Sequence, residues 1–275
     1  MNEQLTMQRG AKAITQAFRI RNQSGGKVLV PYIMAGDPDL GTTEKIVRAL
    51  SGLGADVIEL GMPFSDPLAD GPVIQRAGQR ALRQNITLPR LLESVKELRL
   101  TVDTPIVIMT YYNLFYKYGL QQFAQDAAQA GVDGLIIPDL PIEEAEEFQS
   151  YLDESNLALI CLIAPTSTDT RIQNITKVAK GFVYYVSRTG TTGVQQDVSA
   201  DLEFNINRIR QYTDLPIAVG FGVSNAELAK TISAHADGVV IGSAIVRVIE
   251  ETTHMHDRVA AKFVKPIVDV LHGNT

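Results

Sequence analysis

The apolar run Val57-Ile58-Glu59-Leu60 carries a carboxylate at its third position, and the loop over residues 61–72 brings Asp66 and Asp70 back toward the same place. An ionised Glu inside an apolar strand is costly unless it is compensated or held protonated, so such a residue is tolerated where it has chemistry to do. Carboxyl groups in different surroundings hold their protons differently, which is the raw material of an acid and base pair. The plainer readings are a hydrogen-bonded core acid for Glu59 and turn-capping acids for Asp66 and Asp70, and both stay open at this point.

Three glycine-rich stretches in the C-terminal half suit an anion: Arg188-Thr-Gly-Thr-Thr-Gly193, Val219-Gly-Phe-Gly-Val-Ser224 and Val240-Ile-Gly-Ser-Ala244. Glycine lets backbone N–H groups come close to a phosphate, and Ser243 opens a helical segment whose N-terminal dipole favours negative charge. Each stretch alone is equally well a tight turn. Tyr32, Tyr111, Tyr112, Tyr184 and Phe221 fall near strand ends, where they either pack or wall a flat apolar substrate. Carboxylates with a phosphate grip point to cleavage or isomerisation of a sugar-phosphate-like compound by proton transfer. Asp66, Asp70 and Asp139 lack a recognised metal-ligand spacing, so no metal is expected. All four histidines, His235, His254, His256 and His272, lie near the C-terminus, far in sequence from these acids, and no Gly-x-Ser-x-Gly elbow accompanies them. A hydrolase triad is therefore disfavoured.

The elements that must position these groups read as an alternation of short Val/Ile/Leu runs and longer amphipathic segments, the pattern of βα units on a parallel sheet. Strands are predicted at residues 27–34, 56–60, 105–109, 134–137, 158–163, 182–186, 216–219 and 238–241. Helices are predicted at 43–53, 72–84, 88–98, 121–130, 142–155, 168–178, 202–212, 225–235, 243–250 and 256–271, with one more at 4–20 that covers the barrel bottom. Eight strands, each followed by helix, fit a closed (β/α)8 TIM barrel with an extra N-terminal helix, residues 1–275 forming one domain. Functional groups then belong at the C-terminal strand ends, where Glu59 and Asp139 stand. No residue-level repeat is evident.

Composition sets the outer bounds. The 275 residues are 45% hydrophobic and 20% charged, as in an ordinary globular chain, and the net charge of −6 disfavours a general nucleic-acid surface. No apolar run is long enough for a membrane span, no secretory leader is expected at residues 1–21, and the single Cys161 sits in an apolar run as a small hydrophobe. A reducing cytoplasm is the expected location.

The string Glu59-Leu-Gly-Met-Pro-Phe-Ser-Asp-Pro-Leu-Ala-Asp-Gly-Pro72 closely resembles a motif of the tryptophan synthase alpha chain family. The resemblance extends through Pro31-Tyr-Ile-Met-Ala-Gly-Asp-Pro38, Met109-Thr-Tyr-Tyr-Asn113, Ile137-Pro-Asp-Leu-Pro141, Ser187-Arg-Thr-Gly-Thr-Thr-Gly193 and Gly242-Ser-Ala-Ile245, and so spans essentially the whole chain. It implies a barrel that cleaves indole-3-glycerol phosphate to indole and glyceraldehyde 3-phosphate, with Glu59 as the acid/base residue and Asp70 on the indole N–H. It further implies Tyr184 beside Glu59, Tyr111 near the indole, Tyr32, Met109, Ile136 and Val240 as apolar walls, and Gly193, Phe221, Gly222, Gly242 and Ser243 as the phosphate grip. Thr192 matches a residue on a closing loop. Thr191 and Tyr32 depart from the family's usual aliphatic residue and Phe.

The resemblance also implies a beta chain that carries pyridoxal phosphate, no cofactor in this chain, and an α2β2 assembly with Asp66 and residues 63–67 facing the partner. The competing expectations are a free-standing lyase that releases indole, a non-catalytic barrel subunit, and another phosphate-binding barrel enzyme. The last of these more often uses Lys, Cys or paired Asp at strand ends.

Overall fold

A computed structural model of the chain describes residues 9–186, 195–220 and 222–273. Eight parallel strands close into a barrel in sequence order: β1 Val28–Met34, β2 Ile58–Gly61, β3 Ile106–Met109, β4 Gly134–Ile136, β5 Ala158–Ile163, β6 Val183–Val186, β7 Ile217–Gly220 and β8 Gly238–Ile241, with β8 paired back onto β1. This is the predicted (β/α)8 architecture.

Two apolar layers follow from the period of two along each strand. Val28, Val30, Val57, Val107, Ile136, Ile160, Ala218 and Val240 fill the barrel interior, while their neighbours Leu29, Ile58, Ile108, Leu159 and Val239 face the helices. Glu59 is the next inward position above Val57, so it stands in the interior stack near its C-terminal end.

The N-terminal helix α1 (Ala11–Gln23) plugs the other end and runs three residues past the predicted end at 20; residues 4–8 of the predicted helix lie outside the described residues. Its Ile14 and Phe18 are fully buried, and small residues make room for them. A Cβ on Gly238 would lie 2.9 Å from Phe18, and one on Gly134 would lie 3.1 Å from Ile14.

The outer layer comprises α2 Leu40–Leu53, α3 Pro72–Leu82, α4 Leu88–Leu98, α5 Tyr112–Tyr118, α6 Leu120–Ala130, α7 Glu146–Glu154, α8 Asp169–Val178, α9 Gln195–Arg210, α10 Ala226–Ser233, α11 Ser243–Glu250 and α12 His256–His272. α5 is not anticipated by the sequence pattern, because its seven residues are too few to show a period. It is held by ring packing of Phe115 on Phe123 (4.6 Å) and on Phe148 (5.6 Å). The predicted helix at 142–155 splits into a 3-10 turn, Ile142–Glu144, and α7, where Glu143, Glu144, Glu146 and Glu147 crowd like charges together. α9 starts well before the predicted residue 202, since its polar first turns have no apolar period to announce them.

At the plugged end one device occurs three times. Asp56, Asp133 and Asp237 each stand just before an even-numbered strand and exchange two bonds with one residue of the preceding strand. Each donates its N–H to the carbonyl of Leu29, Ile106 or Ile217 and accepts that same residue's N–H on a carboxylate oxygen at 2.9 Å. Arg21, Arg99 and Arg210 respectively balance the charges. In sequence the repeat is short: Ala55-Asp56-Val57-Ile58, Val132-Asp133-Gly134-Leu135 and Ala236-Asp237-Gly238-Val239 share an aliphatic residue before the Asp and an aliphatic residue two after it.

Candidate functional site

The mouth of the barrel gathers the acids and aromatics that the sequence singled out. Glu59 is fully buried, and neither of its carboxylate oxygens has a hydrogen-bond partner among the described residues. Burial, reinforced by the negative charge of Asp70, pushes its pKa up to about 8, so at neutral pH it holds a proton. Asp70 is half-buried, and desolvation raises it only to about 6, with the Tyr111 hydroxyl pulling it part of the way back. The two carboxyl groups thus differ in protonation at neutral pH, the condition for an acid and a base to work side by side.

Their placement follows from anchors on the neighbouring strand. The loop after β2 is tied to the end of β3: Met62 donates its N–H to the Met109 carbonyl (2.9 Å), and Thr110 donates its hydroxyl to the Met62 carbonyl (3.0 Å). Further along, the Ala69 N–H donates to the Tyr111 hydroxyl at 2.9 Å, and Phe64 stacks on the Tyr111 ring at 5.0 Å. Gln75 in α3 donates to the Asp70 carbonyl (3.0 Å) and closes the loop from its far side. Asp66 stays exposed on this loop, away from the buried pair.

Two tyrosines frame Glu59. Tyr32 is paired in register with Glu59 across β1 and β2, and its hydroxyl lies over Gly61, where a Cβ would come within 2.1 Å of it. Tyr184 does the same to Gly220 across β6 and β7, at 2.6 Å. Both phenols are held well above their usual pKa by burial and by the nearby carboxylates, so they remain neutral donors. Met109, Ile136 and Val240 line the interior as expected. Leu162 belongs with them and was missed, although its parity with Ile160 on β5 marks it as inward-facing. Of the two readings open for Tyr112, the structure takes the packing one: its ring lies on Tyr116 and Phe148 at 6.2 Å each, and its N–H donates to the exposed Asp139 at the start of α5.

Across the mouth, Gly222 adopts φ +65°, a conformation that favours glycine, and Gly242 leads into Ser243, the exposed first residue of α11. The first turn of α10 is capped by Asn225, which accepts from the Leu228 N–H. The first turn of α11, directly after β8, has no side-chain cap, and uncapped N–H groups of a helix N-terminus suit an anion. Thr192, Gly193 and Phe221 lie outside the described residues. Cys161 is buried on the outer face of β5, its thiol pushed up to about 12 by burial. Among the described residues no cluster of His, Cys, Asp or Glu is arranged to hold a metal, and no helix is long and apolar enough to cross a membrane.

Comparison with known proteins agrees with this geometry. Residues 18–270 match the profile of the family described as tryptophan synthase alpha chain. The chain is 47% identical to the tryptophan synthase alpha chain of Thermoanaerobacter sp. (strain X514), over 85% of this chain and 88% of that one. It is 45% identical to that of Geobacter sulfurreducens, over 95% and 99%. The crystal structure of tryptophan synthase subunit alpha from Legionella pneumophila str. Paris superposes with a TM-score of 0.88 at 35% identity, covering 95% of this chain and 98% of that one. A barrel that buries a glutamate without a hydrogen-bond partner among the described residues, beside a half-buried aspartate, in a chain matched along nearly its whole length, leads to one assignment: the protein belongs to the tryptophan synthase alpha chain family.

Proposed function

We propose that this chain catalyses the retro-aldol cleavage of indole-3-glycerol phosphate to indole and glyceraldehyde 3-phosphate. The observation that carries this reading is the protonated Glu59, without a hydrogen-bond partner among the described residues, beside the more acidic Asp70. Glu59 delivers its proton to the indole C3, which leaves positive charge on the ring nitrogen. Asp70, ionised above pH about 6, accepts the ring N–H and stabilises that charge. Glu59, now a carboxylate, takes the proton of the glycerol hydroxyl beside the breaking bond. The carbon–carbon bond cleaves and its electron pair returns to the ring, so indole leaves neutral and Glu59 ends as it began. Positioned proton transfer of this kind contributes ~10²–10⁴-fold. Tyr32, Tyr184 and Leu162 wall the ring, and Gly222, Gly242 and Ser243, with Gly193 and Phe221, hold the phosphate.

The reading includes a beta chain that takes the indole and uses pyridoxal phosphate, an α2β2 assembly in the cytoplasm, and no cofactor in this chain. Asp66 and residues 63–67 face that partner, so the loop carrying Asp70 transmits its binding. Indole release from indole-3-glycerol phosphate, assayed with and without a beta chain, tests substrate and partner together. Cleavage that rises on adding the beta chain is expected, and no cleavage in either case overturns the assignment. High turnover without a partner would instead mark a free-standing lyase. A partner-induced rise that survives Asp66→Ala unchanged would remove Asp66 from the coupling.

A further inference from the structure

Beside the mouth, the outer layer carries an ion network that the reaction as written does not use. Arg80, on α3, grips Asp37 through two parallel bonds of 2.7 Å and reaches Glu250 through a third at 2.6 Å. Arg76, one turn earlier, grips the same Glu250 through two bonds of 2.8 Å. The Asp37 side chain is only 3% exposed and that of Arg80 29%, so this fork is shielded from water in a way a surface pair is not.

The three elements it ties each carry a part of the site. Asp37 lies just after β1, the strand of Tyr32. α3 begins two residues after Asp70, and Glu250 closes α11, which Ser243 opens. α3 packs on both α11 and β1. The turn that presents Asp37 is tight: Gly36 has φ +85°, and a Cβ there would strike Ile86 at 2.3 Å. From α3 the tie continues to the loop, since Gln75 holds the Asp70 carbonyl.

We propose that Arg80 is a positioning residue for the cleavage. By pinning α3 to the end of β1 and the end of α11, it fixes where Asp70 stands relative to Glu59 and the phosphate end, and its contribution reaches the reaction through Asp70. This inference rests on the reaction assigned above.

Steady-state kinetics of the complex with the beta chain test it, for Arg80→Met and Arg80→Lys, alone and combined with Asp70→Asn. Amide hydrogen exchange over residues 66–75 is followed in parallel. Arg80→Met is expected to lower kcat by ~10-fold or more with KM changed less than ~3-fold, and Arg80→Lys, which keeps the charge but loses the fork, to fall between. In the Asp70→Asn background the same substitution should cost less than ~2-fold, because the group being positioned is gone. Residues 66–75 should exchange faster while the barrel strands do not. Equal losses in both backgrounds, or a raised KM at unchanged kcat, overturn the proposal. If Arg80→Met does not fold, Arg80→Lys carries the same comparison. If the unsubstituted complex does not cleave the substrate, the assigned reaction fails. The exchange readout then decides the brace by itself, and unchanged protection of residues 66–75 overturns it.

Discussion

At its plugged end the barrel buries Asp133 against Arg99 and the N–H groups of Gly10 and Ile106; at its mouth it buries Glu59 with no donor among the described residues. Both side chains are fully inaccessible to water. The first carboxylate is satisfied, its charge shared with a guanidinium that itself bonds the carbonyls of Val102, Thr104 and Gly131. The second is kept neutral by the lack of such partners and remains available to a ligand. Burial alone therefore does not mark a reactive acid. What marks it is burial without a hydrogen-bond partner among the described residues, inside an interior stack whose positions below it are apolar.

The largest effect that would sharpen this contrast is expected at the satisfied acid. Asp133→Asn leaves Arg99 buried without its counter-charge and should cost about 3–5 kcal/mol, read as a melting temperature roughly 10 °C lower. kcat below the transition should stay within ~2-fold of the unsubstituted protein, because the site lies at the other end of the strands. A large kcat loss at intact stability would break the division of the barrel into a structural and a chemical end.

Glu59→Gln should do the reverse. Activity is expected to fall by at least ~10²-fold. The folded chain holds the Glu59 proton up to pH about 8, whereas a free Glu releases it near 4.5, so this group costs no stability below about 4.5. The cost grows as pH rises through that window and is complete above about 8. Gln has no proton to lose, and the variant should be more stable at pH 8 by on the order of 1–3 kcal/mol, with a flatter dependence on pH. Thermal melts at pH 5 and pH 8 check the sign; a variant less stable at both would mean that Glu59 has partners.

The contrast was half legible in the sequence. Glu59 stood out because a charge interrupts an apolar strand, and parity with Val57 places it inside. The same parity marks Leu162 on β5 as inward-facing, whereas Tyr112 lies beyond the end of β3, at the start of α5, where strand parity no longer applies. Asp133 gave no comparable sign: it precedes its strand, where an acid looks like a turn residue, and its partners Arg99 and Gly10 come from distant parts of the chain. Asp37, Arg80 and Glu250 are hidden for the same reason, since only the packing of α3 on α11 and β1 brings them together. The eight strands were readable from composition. α5 was not, because tertiary ring contacts hold it rather than its own period.

A smaller effect is expected at the third copy of the bottom device. Asp237 is more exposed than Asp133, and Arg210 stands largely in solvent, so the ion pair contributes little. The acceptor for the Ile217 N–H matters more. Asp237→Ala should cost about 1–2 kcal/mol, the penalty of an orphaned backbone donor near the surface. Denaturant titration measures it, and a loss equal to that of Asp133→Asn would show that charge pairing is not what separates the two copies.

The smallest effect tests how the mouth keeps its two acids apart. If Asp70 must be ionised and Glu59 protonated, kcat should be bell-shaped, rising through about 6 and falling through about 8. The Tyr111 hydroxyl opposes the rise of the Asp70 pKa and accepts the Ala69 N–H. Tyr111→Phe removes both influences while keeping the ring on Phe64. The Asp70 pKa should then climb toward that of Glu59, and the acid limb of the profile should move to higher pH while the alkaline limb stays. A single hydrogen bond of ~1 kcal/mol corresponds to ~5-fold in the ionisation constant, so the deficit should approach ~5-fold well below pH 6, be ~3-fold at pH 6 and shrink as pH rises toward 8. A deficit equal at every pH would assign Tyr111 to shaping the wall alone, and the difference between the two acids would then rest on burial rather than on the hydroxyl between strand and loop.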